Sequence, residues 1–211
     1  MNLFQRFMRV FFNLLYHPFA FTYDLVATTV SIGQWKNWVY SILPFIEGNR
    51  ILELGHGPGH LQRALLNLGL VAVAIDESAP MGILARRRLG SSHRLVRALA
   101  QKIPFTPESF DSVVSTFPTE YIFDTRTLSE ANRVLRSGGR LIILLAAWPK
   151  NPVLAWLFNV TGQSPSMAYE SIKSKIIKTL TDANFKTEVR IVEVKSGSLL
   201  VVIGEKKESK C

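Results

Sequence analysis

From Arg50 onward, short apolar runs alternate with longer stretches in which apolar residues recur at helical spacing. This alternation predicts parallel strands joined by helices that cover both faces of a sheet. We predict strands over 50–54, 71–75, 94–97, 111–116 and 140–146, and helices over about 59–68, 79–89, 126–135 and 167–183. Residues 186–194 and 198–203 flank a Ser196-Gly197 turn and predict an antiparallel hairpin. The expected fold class is α/β, with a doubly wound, seven-stranded sheet that is mostly parallel and ends in this hairpin.

The first residues form a different pattern, an apolar segment with a narrow polar stripe made by Asn2, Gln5, Arg6, Arg9 and Asn13. This predicts an amphipathic helix that Pro18 ends. A membrane span is not expected, because no stretch reaches about 18 uncharged apolar residues, and the arginines argue against a signal peptide. Three interpretations stay open: the segment caps the core and active site, contacts a membrane surface through residues 2–16, or packs against a second copy in a homodimer. We therefore divide the single domain into an N-terminal helical cap, residues 1–45, and a core, residues 46–205.

Composition narrows the class of protein. The 211 residues carry a net charge of +9 and one cysteine, Cys211. A single thiol excludes a disulfide framework within the chain and a cysteine-based zinc site. The four histidines have no metal-ligand spacing, so we expect no metal. A cytoplasmic location is the default for such a chain, with peripheral contact to a membrane left open. The basic residues are spread over predicted helices and form no recognised nucleic-acid-binding module, so no nucleic-acid partner is expected.

Three glycines at alternate positions, Gly55, Gly57 and Gly59, follow the first predicted strand and precede a helix. Such a loop lets a ligand approach the backbone where a Cβ would block it. The dinucleotide-binding fingerprint has the spacing GxGxxG, but here His60 occupies the position of its third glycine. Glu53, two residues before the loop, would repel a pyrophosphate and suits a cationic amino group.

The second predicted strand ends in Asp76 and Glu77. Asp76 lies 21 residues after Gly55, the spacing expected of a carboxylate that accepts hydrogen bonds from ribose hydroxyls. The ligand implied by these residues has a ribose and a positive amino group but no phosphate. S-adenosylmethionine (SAM) has this chemistry.

Three further motifs lie at 99–105 (LAQKIPF), 109–115 (SFDSVVS) and 128–143 (LSEANRVLRSGGRLII). With the glycine loop, they resemble the class I SAM-dependent methyltransferases, close to the methyltransferase type 11 group that contains the ubiquinone/menaquinone C-methyltransferases. The resemblance covers about residues 51–145. It implies a Rossmann-like sheet, SAM as the methyl donor and S-adenosylhomocysteine (SAH) as the product.

The resemblance also implies which residues contact SAM. Gly55, Gly57 and Gly59 are expected against the methionine part and the ribose, and Asp76 at the ribose hydroxyls. Leu99 and Ala100 are expected beside the adenine, and Thr116 and Phe117 near the methionine end. Glu53, His56 and Glu77 complete the set of expected SAM-binding residues. Tyr23 is the candidate to reach over the methionine end, with plain core packing as its alternative. Two positions depart from the family. Leu99 replaces a frequent Asp, which removes one hydrogen bond to the adenine, and His56 stands where Cys or Ser is usual.

Residues 148–162 are apolar, and from their position in the chain we expect them to cover the SAM pocket as its roof. Together with the N-terminal segment, they suggest an apolar acceptor, which is a quinone, a lipid or an aromatic metabolite. Methyl transfer from a sulfonium is an in-line displacement, so positioning, worth about 7–11 kcal/mol, is the protein's main contribution.

A general base is needed only if the acceptor loses a proton. The catalytic candidates are Glu120, Tyr121, His60 and His56, and each of them also has a plain structural interpretation. The alternative function is a SAM- or nucleotide-binding module without turnover, membrane-associated or regulatory, and a nicotinamide-dependent oxidoreductase is a third. Whether the protein is a monomer or a homodimer stays open.

Overall fold

The computed structural model describes residue 31 and residues 33–90, 94–150 and 165–208. One sheet contains β1 (Arg50–Leu54), β2 (Val71–Asp76), β3 (Leu95–Arg97), β4 (Phe110–Thr116), β5 (Leu135–Pro149), β6 (Phe185–Val194) and β7 (Gly197–Lys206). The helices of this part are α1 (Trp35–Tyr40), α2 (His60–Asn67), α3 (Ala79–Leu89), α4 (Thr125–Val134) and α5 (Pro165–Asp182), with 3₁₀ turns over Leu43–Phe45 and Glu120–Phe123. None of these described helices is both long enough and apolar enough to cross a bilayer. The predicted N-terminal helix and most of the predicted pocket roof lie outside the described residues.

The strand order is β3-β2-β1-β4-β5-β7-β6. Strands β1 to β5 are paired in parallel, and β7 runs antiparallel to both β5 and β6. This confirms the predicted doubly wound sheet with its C-terminal hairpin. The fifth strand is longer than the predicted 140–146, because Leu135 already pairs with Phe110 before the register shifts and Arg140 pairs with Ser112.

The order of the strands reverses beside β1. From β1 the chain passes through α2 to β2 and through α3 to β3, whereas β4 lies on the other side of β1. The loops that follow β1 and β4 therefore leave the sheet in different directions. A crevice opens between them at the carboxyl ends of the strands, which is where open α/β sheets bind their ligands.

Strand β1 supplies side chains to two apolar layers, because successive residues of a strand point to opposite faces. Leu52 and Leu54 are buried in the layer that contains Leu128 of α4. Ile51 is buried in the other layer, which contains Leu61 of α2. The same alternation places Glu53 on the α2 side of the sheet.

Asp111 fastens the beginning of β1 to β4. Its Oδ2 accepts hydrogen bonds from the backbone N–H groups of Asn49 and Arg50, at 2.8 Å each. Its Oδ1 lies 3.4 Å from Nη2 of Arg50 and 3.1 Å from Nε of Arg136. Burial alone would raise the pKa of Asp111, but the two N–H donors and the guanidinium groups outweigh it and lower the pKa below its ordinary value. The carboxylate therefore stabilises the fold above the ordinary aspartate pKa, and this contribution is lost as the pH falls through the lowered folded-state pKa.

We expect Asp111→Asn to lower the free energy of unfolding by about 2–3 kcal/mol at neutral pH, because a neutral amide replaces a charged acceptor of several hydrogen bonds. Urea denaturation measures the change. Asp182→Asn, at an exposed position that ends α5, is the matched control and should stay within about 0.5 kcal/mol of the wild type. The difference between Asp111→Asn and the wild type should shrink towards about pH 3, and a difference that does not depend on pH would contradict this account.

Candidate functional site

The glycine loop leaves β1 in a left-handed conformation. Gly55, Gly57 and Gly59 have φ angles of +72°, +50° and +83°, a region that residues with a Cβ rarely occupy. The N–H groups of Gly55 and His56 both donate to the carbonyl of Ile75, at 2.8 and 3.3 Å. The backbone of the loop is therefore hydrogen-bonded to the end of β2, and the sheet sets the position of the loop.

The three glycines serve different purposes. A Cβ on Gly59 would lie 3.1 Å from the Cβ of Ala85 in α3, so this glycine allows α2 and α3 to pack closely. A Cβ on Gly57 would meet no atom of the described residues within 4 Å. A Cβ on Gly55 would lie 2.5 Å from the hydroxyl oxygen of Tyr121. Gly57 is thus the one of the three that faces open space, while Gly55 and Gly59 are needed for packing.

The Tyr121 hydroxyl packs against the start of the glycine loop. It donates to the carbonyl of Leu54 at 3.1 Å and lies 3.1 Å from Oγ of Ser115, which itself donates to the same carbonyl at 2.8 Å. The sequence prediction treats Tyr121 as a candidate general base. The structure places its oxygen against the end of β1 and Gly55, which is the position of a residue that holds the loop.

Asp76 connects the glycine loop after β1 to the start of α3. Its Oδ2 accepts the N–H of Gly57 at 2.9 Å, and its Oδ1 accepts the N–H of Ser78 at 2.8 Å. Ser78 is the N-cap of α3, where its hydroxyl accepts the N–H of Met81 at 3.3 Å. Each oxygen of an ionised carboxylate can accept more than one hydrogen bond. Asp76 is therefore held in a fixed orientation and retains acceptor capacity for a ligand.

Glu53 is buried, with 1% of its surface exposed. Burial raises its pKa to about 8, the charge of Asp76 adds to the increase, and a hydrogen bond with Gln62 opposes it. Its Oε2 has no hydrogen-bond partner among the described residues. A buried carboxyl oxygen without a partner is costly, so this atom marks a place where a donor from a ligand would be stabilised.

His56 is also buried, and its Nδ1 lies 2.6 Å from the carbonyl oxygen of Gly57. Because a carbonyl only accepts, Nδ1 carries the proton in this contact. Burial lowers the pKa of His56, and Arg86 lowers it further, although Asp76 and the Gly57 carbonyl act in the opposite direction. A neutral imidazole that braces the loop fits these contacts. His60, the first residue of α2, is likewise buried.

The remaining predicted residues lie along the same carboxyl edge of the sheet. Leu99 and Ala100 follow β3, with Leu99 half exposed at 51% and Ala100 buried. Thr116 ends β4, and Phe117 after it has a left-handed φ of +48° and stacks on Trp35 with ring centroids 4.3 Å apart. The exposed Glu77 follows Asp76 in the chain, and the exposed Glu120 begins a 3₁₀ turn. Tyr23 lies outside the described residues.

A small pocket of about 60 Å³ lies beside Asp76, between α3 and β3. Its lining consists of His56, Asp76, Ser78, Ala79, Gly82, Arg86, Leu95, Val96 and Arg97. Within the described part of the chain, no group of His, Cys, Asp and Glu side chains has the arrangement of a metal site.

Sequence reasoning missed several residues that shape this region. Ser78 was detectable, because a serine shortly before Pro80 and an apolar helix is a common N-cap pattern. Ser115 donates a hydrogen bond to the same Leu54 carbonyl as Tyr121, and no local sequence pattern indicates this contact. The stacking of Trp35 on Phe117 joins positions far apart in the chain, so no local sequence pattern indicates it.

Comparison with known proteins gives consistent matches. A family model described as a methyltransferase domain matches residues 52–143. The chain is 33% identical over 149 residues to a demethylmenaquinone methyltransferase of Clavibacter sepedonicus, and the match covers 67% of this chain and 60% of that protein. It is 30% identical over 176 residues to a ubiquinone/menaquinone biosynthesis C-methyltransferase of Pseudomonas savastanoi pv. phaseolicola, covering 77% of this chain and 67% of that one.

A solved structure with a similar fold is that of Haemonchus contortus phosphoethanolamine N-methyltransferase 2 in complex with S-adenosyl-L-methionine. Its TM-score is 0.60 at 16% sequence identity, and the match covers 83% of this chain and 53% of that one. At this identity the likeness shows the fold.

We expect Gly55→Ala to lower the free energy of unfolding by about 2–3 kcal/mol, because the left-handed backbone and the contact with the Tyr121 oxygen both oppose a Cβ. In a Tyr121→Phe background the cost should fall to about 1 kcal/mol, which is the backbone part alone. Gly57→Ala is the matched control, since it has a left-handed φ but no neighbouring atom, and it should also cost about 1 kcal/mol. Urea denaturation of the variants forms a double-mutant cycle. An equal cost of Gly55→Ala in both backgrounds would refute the proposed contact.

Glu53 predicts a pH dependence of unusual sign. A folded-state pKa raised to about 8 means that the folded protein binds a proton that the unfolded chain has released, so stability falls between the ordinary glutamate pKa and about pH 8. We expect Glu53→Gln to be more stable than the wild type by about 1–3 kcal/mol at pH 8, with the gain vanishing near pH 5. Thermal melting across this range measures it, with the exposed Glu205→Gln as a control that shows no such trend. A Glu53→Gln protein that is less stable at pH 8 would show that the carboxylate is ionised and paired.

Proposed function

The chain belongs to the class I SAM-dependent methyltransferases, and within this family we propose that it methylates a small apolar acceptor of the quinone type. SAM is the methyl donor. The matched relatives are named for ubiquinone and menaquinone C-methylation, and this supports a quinone-type acceptor. The chain spans 60% of the length of the Clavibacter relative.

The residues at the carboxyl edge of the sheet fit SAM. Asp76, fixed by two backbone N–H groups, would accept hydrogen bonds from the ribose hydroxyls. The unpartnered Oε2 of Glu53 would accept from the ammonium group of the methionine part. Gly57, whose Cβ position is open, lets the ligand lie against the loop backbone. When bound, SAM supplies an electrophilic methyl group on a sulfonium centre.

The same two acids disfavour a phosphorylated ligand. Glu53 and Asp76 are close enough for the charge of Asp76 to raise the pKa of Glu53. Because the pKa of Glu53 is raised to about 8, this carboxyl is mostly protonated near neutral pH, and the repulsion of an anionic pyrophosphate comes from the charge of Asp76. An ammonium group would lower the pKa of Glu53 and let it ionise. The pair of Glu53 and Asp76 is the main observation in favour of an adenosyl donor without phosphate and against a nicotinamide dinucleotide.

An apolar acceptor is supported by the aromatic pair beside β4. Trp35 and Phe117 stack at the end of the strand, next to Thr116, and both are partly exposed. Phe117 adopts a left-handed backbone, a conformation that costs free energy and is often retained where a side chain must be presented. A flat ring system such as a quinol would gain by packing against this pair.

The protein's own contribution to the reaction is positioning. Holding the acceptor atom, the methyl group and the sulfur in line, with water excluded, is sufficient for a large rate enhancement. Tyr121 and His56 are engaged in holding the glycine loop, and His60 is buried at the start of α2. Among the predicted catalytic candidates, Glu120 at the start of its 3₁₀ turn is therefore the one we retain as a general base for an acceptor that loses a proton.

The acceptor is tested by incubating the protein with labelled SAM and three acceptor classes side by side: demethylated quinols, phospholipids and small polar amines. We expect label in the quinol fraction, because the aromatic pair favours a flat apolar ring. Methylation of polar amines alone would contradict the proposed acceptor while leaving the methyltransferase activity intact.

We expect Asp76→Ala to weaken SAM binding at least tenfold, which corresponds to roughly 1.4 kcal/mol, without unfolding the domain. Isothermal titration calorimetry measures the affinity, and Asp182→Ala at the exposed end of α5 should bind as the wild type does. Unchanged affinity in Asp76→Ala would show that the ribose lies elsewhere.

A further inference from the structure

The positive charge of the chain is concentrated in one region. From Glu77 to Lys102 there are six basic residues and one acidic residue, a net charge of +5, against +9 for all 211 residues. The basic residues are Arg86, Arg87, Arg88, Arg94, Arg97 and Lys102. They belong to α3, to the edge strand β3 and to the segments beside it.

The fold brings these arginines onto one edge of the molecule. Arg86 of α3 and Arg97 of β3 line the same small pocket. Arg87 follows Arg86 on the exposed side of α3, and Arg94 immediately precedes β3. We call this region the β3-edge surface and define it as Ile83, Arg86, Arg87, Arg94, Arg97 and Leu99.

Within the part of the chain that the structure describes, the arginines of the β3-edge surface form no ion pair with an acidic side chain. Among the described residues, Arg86, Arg87, Arg94 and Arg97 make no ion pair with a carboxylate, and Nε of Arg97 donates to the neutral backbone carbonyl of Glu77 at 2.9 Å. Other arginines of the described part do have such partners, namely Arg50, Arg126, Arg133, Arg136, Arg140 and Arg190. Asp76 lines the pocket beside Arg86 and Arg97, but among the described residues none of the four arginines of the β3-edge surface is neutralised by a paired carboxylate.

Aliphatic side chains lie among these charges. Ile83 is 47% exposed and Leu99 is 51% exposed. Ile83 precedes Arg86 and Arg87 by three and four residues, so the three share one face of α3. Exposed aliphatic groups beside arginines match the interface of a bilayer, where apolar groups enter the headgroup region and cations meet anionic lipids. A surface for single-stranded nucleic acid would need aromatic side chains for base stacking, and residues 77–102 contain no Phe, Trp or Tyr.

We propose that the β3-edge surface docks the protein on anionic lipid bilayers. Leu99 lies at the adenine end of the predicted SAM site, so docking here would bring the crevice close to the membrane. The proposal concerns a part of the chain other than the N-terminal segment and does not depend on which acceptor is methylated.

The test is flotation of the full-length protein with two kinds of vesicle, phosphatidylcholine alone and phosphatidylcholine with about 30 mol% phosphatidylglycerol. The variant Arg87→Glu/Arg94→Glu changes two exposed positions outside the predicted SAM contacts. Lys175→Glu/Lys178→Glu changes the net charge equally at exposed positions of α5. Ile83→Ser tests the aliphatic part with all charges kept.

We expect the wild type to bind the anionic vesicles, the double arginine variant to bind at least roughly tenfold more weakly, and the lysine variant to stay within about twofold. Ile83→Ser should weaken binding severalfold. SAM affinity by calorimetry should be the same in all four proteins, which separates this proposal from the proposed function. Equal losses in the two charge variants would overturn the proposal, as would equal binding to neutral vesicles, or RNA binding without vesicle binding.

Discussion

One carboxylate, that of Asp76, joins the glycine loop on one side of the crevice to the start of α3. It accepts the N–H of Gly57 from the loop after β1 and the N–H of Ser78 from the start of α3. Because Asp76 ends β2, between β1 and β3 in the sheet, its position is set by the strand register. The loop can then be short and rich in glycine without being loose, because its backbone donors have fixed acceptors in Asp76 and Ile75. Tyr121 completes the arrangement by filling the space below Gly55.

The position of Asp76 also has an electrostatic consequence. Asp76 lies near Glu53 of the neighbouring strand, and Glu53 is buried with an unpartnered oxygen. This arrangement is unfavourable for the folded protein alone, since burial and the charge of Asp76 both oppose ionisation of Glu53. A cationic ligand relieves both effects. The site therefore sacrifices some stability of the free protein and gains selectivity for a ligand that carries an ammonium group.

Much of this architecture could be predicted from the sequence, because strand and helix periods are local properties. The bounds of β1 and the positions of the glycine loop and Asp76 follow directly from the pattern. The early part of β5 was not predicted, because the double glycine Gly138-Gly139 looks like a turn and its pairing across a register shift depends on β4. The roles of Tyr121 and Ser115 also depend on contacts between distant positions. The covers expected from residues 1–45 and 148–162 lie mostly outside the described residues and remain predictions.

The central claim is that the crevice selects an adenosyl donor with an ammonium group and without phosphate. Calorimetric titration of the purified protein with SAM, SAH, NAD⁺ and ATP tests it most directly. The account predicts that SAM and SAH bind with dissociation constants on the order of 1–100 µM, while NAD⁺ and ATP show no binding up to about 1 mM. Tighter binding of NAD⁺ or ATP than of SAM would contradict it.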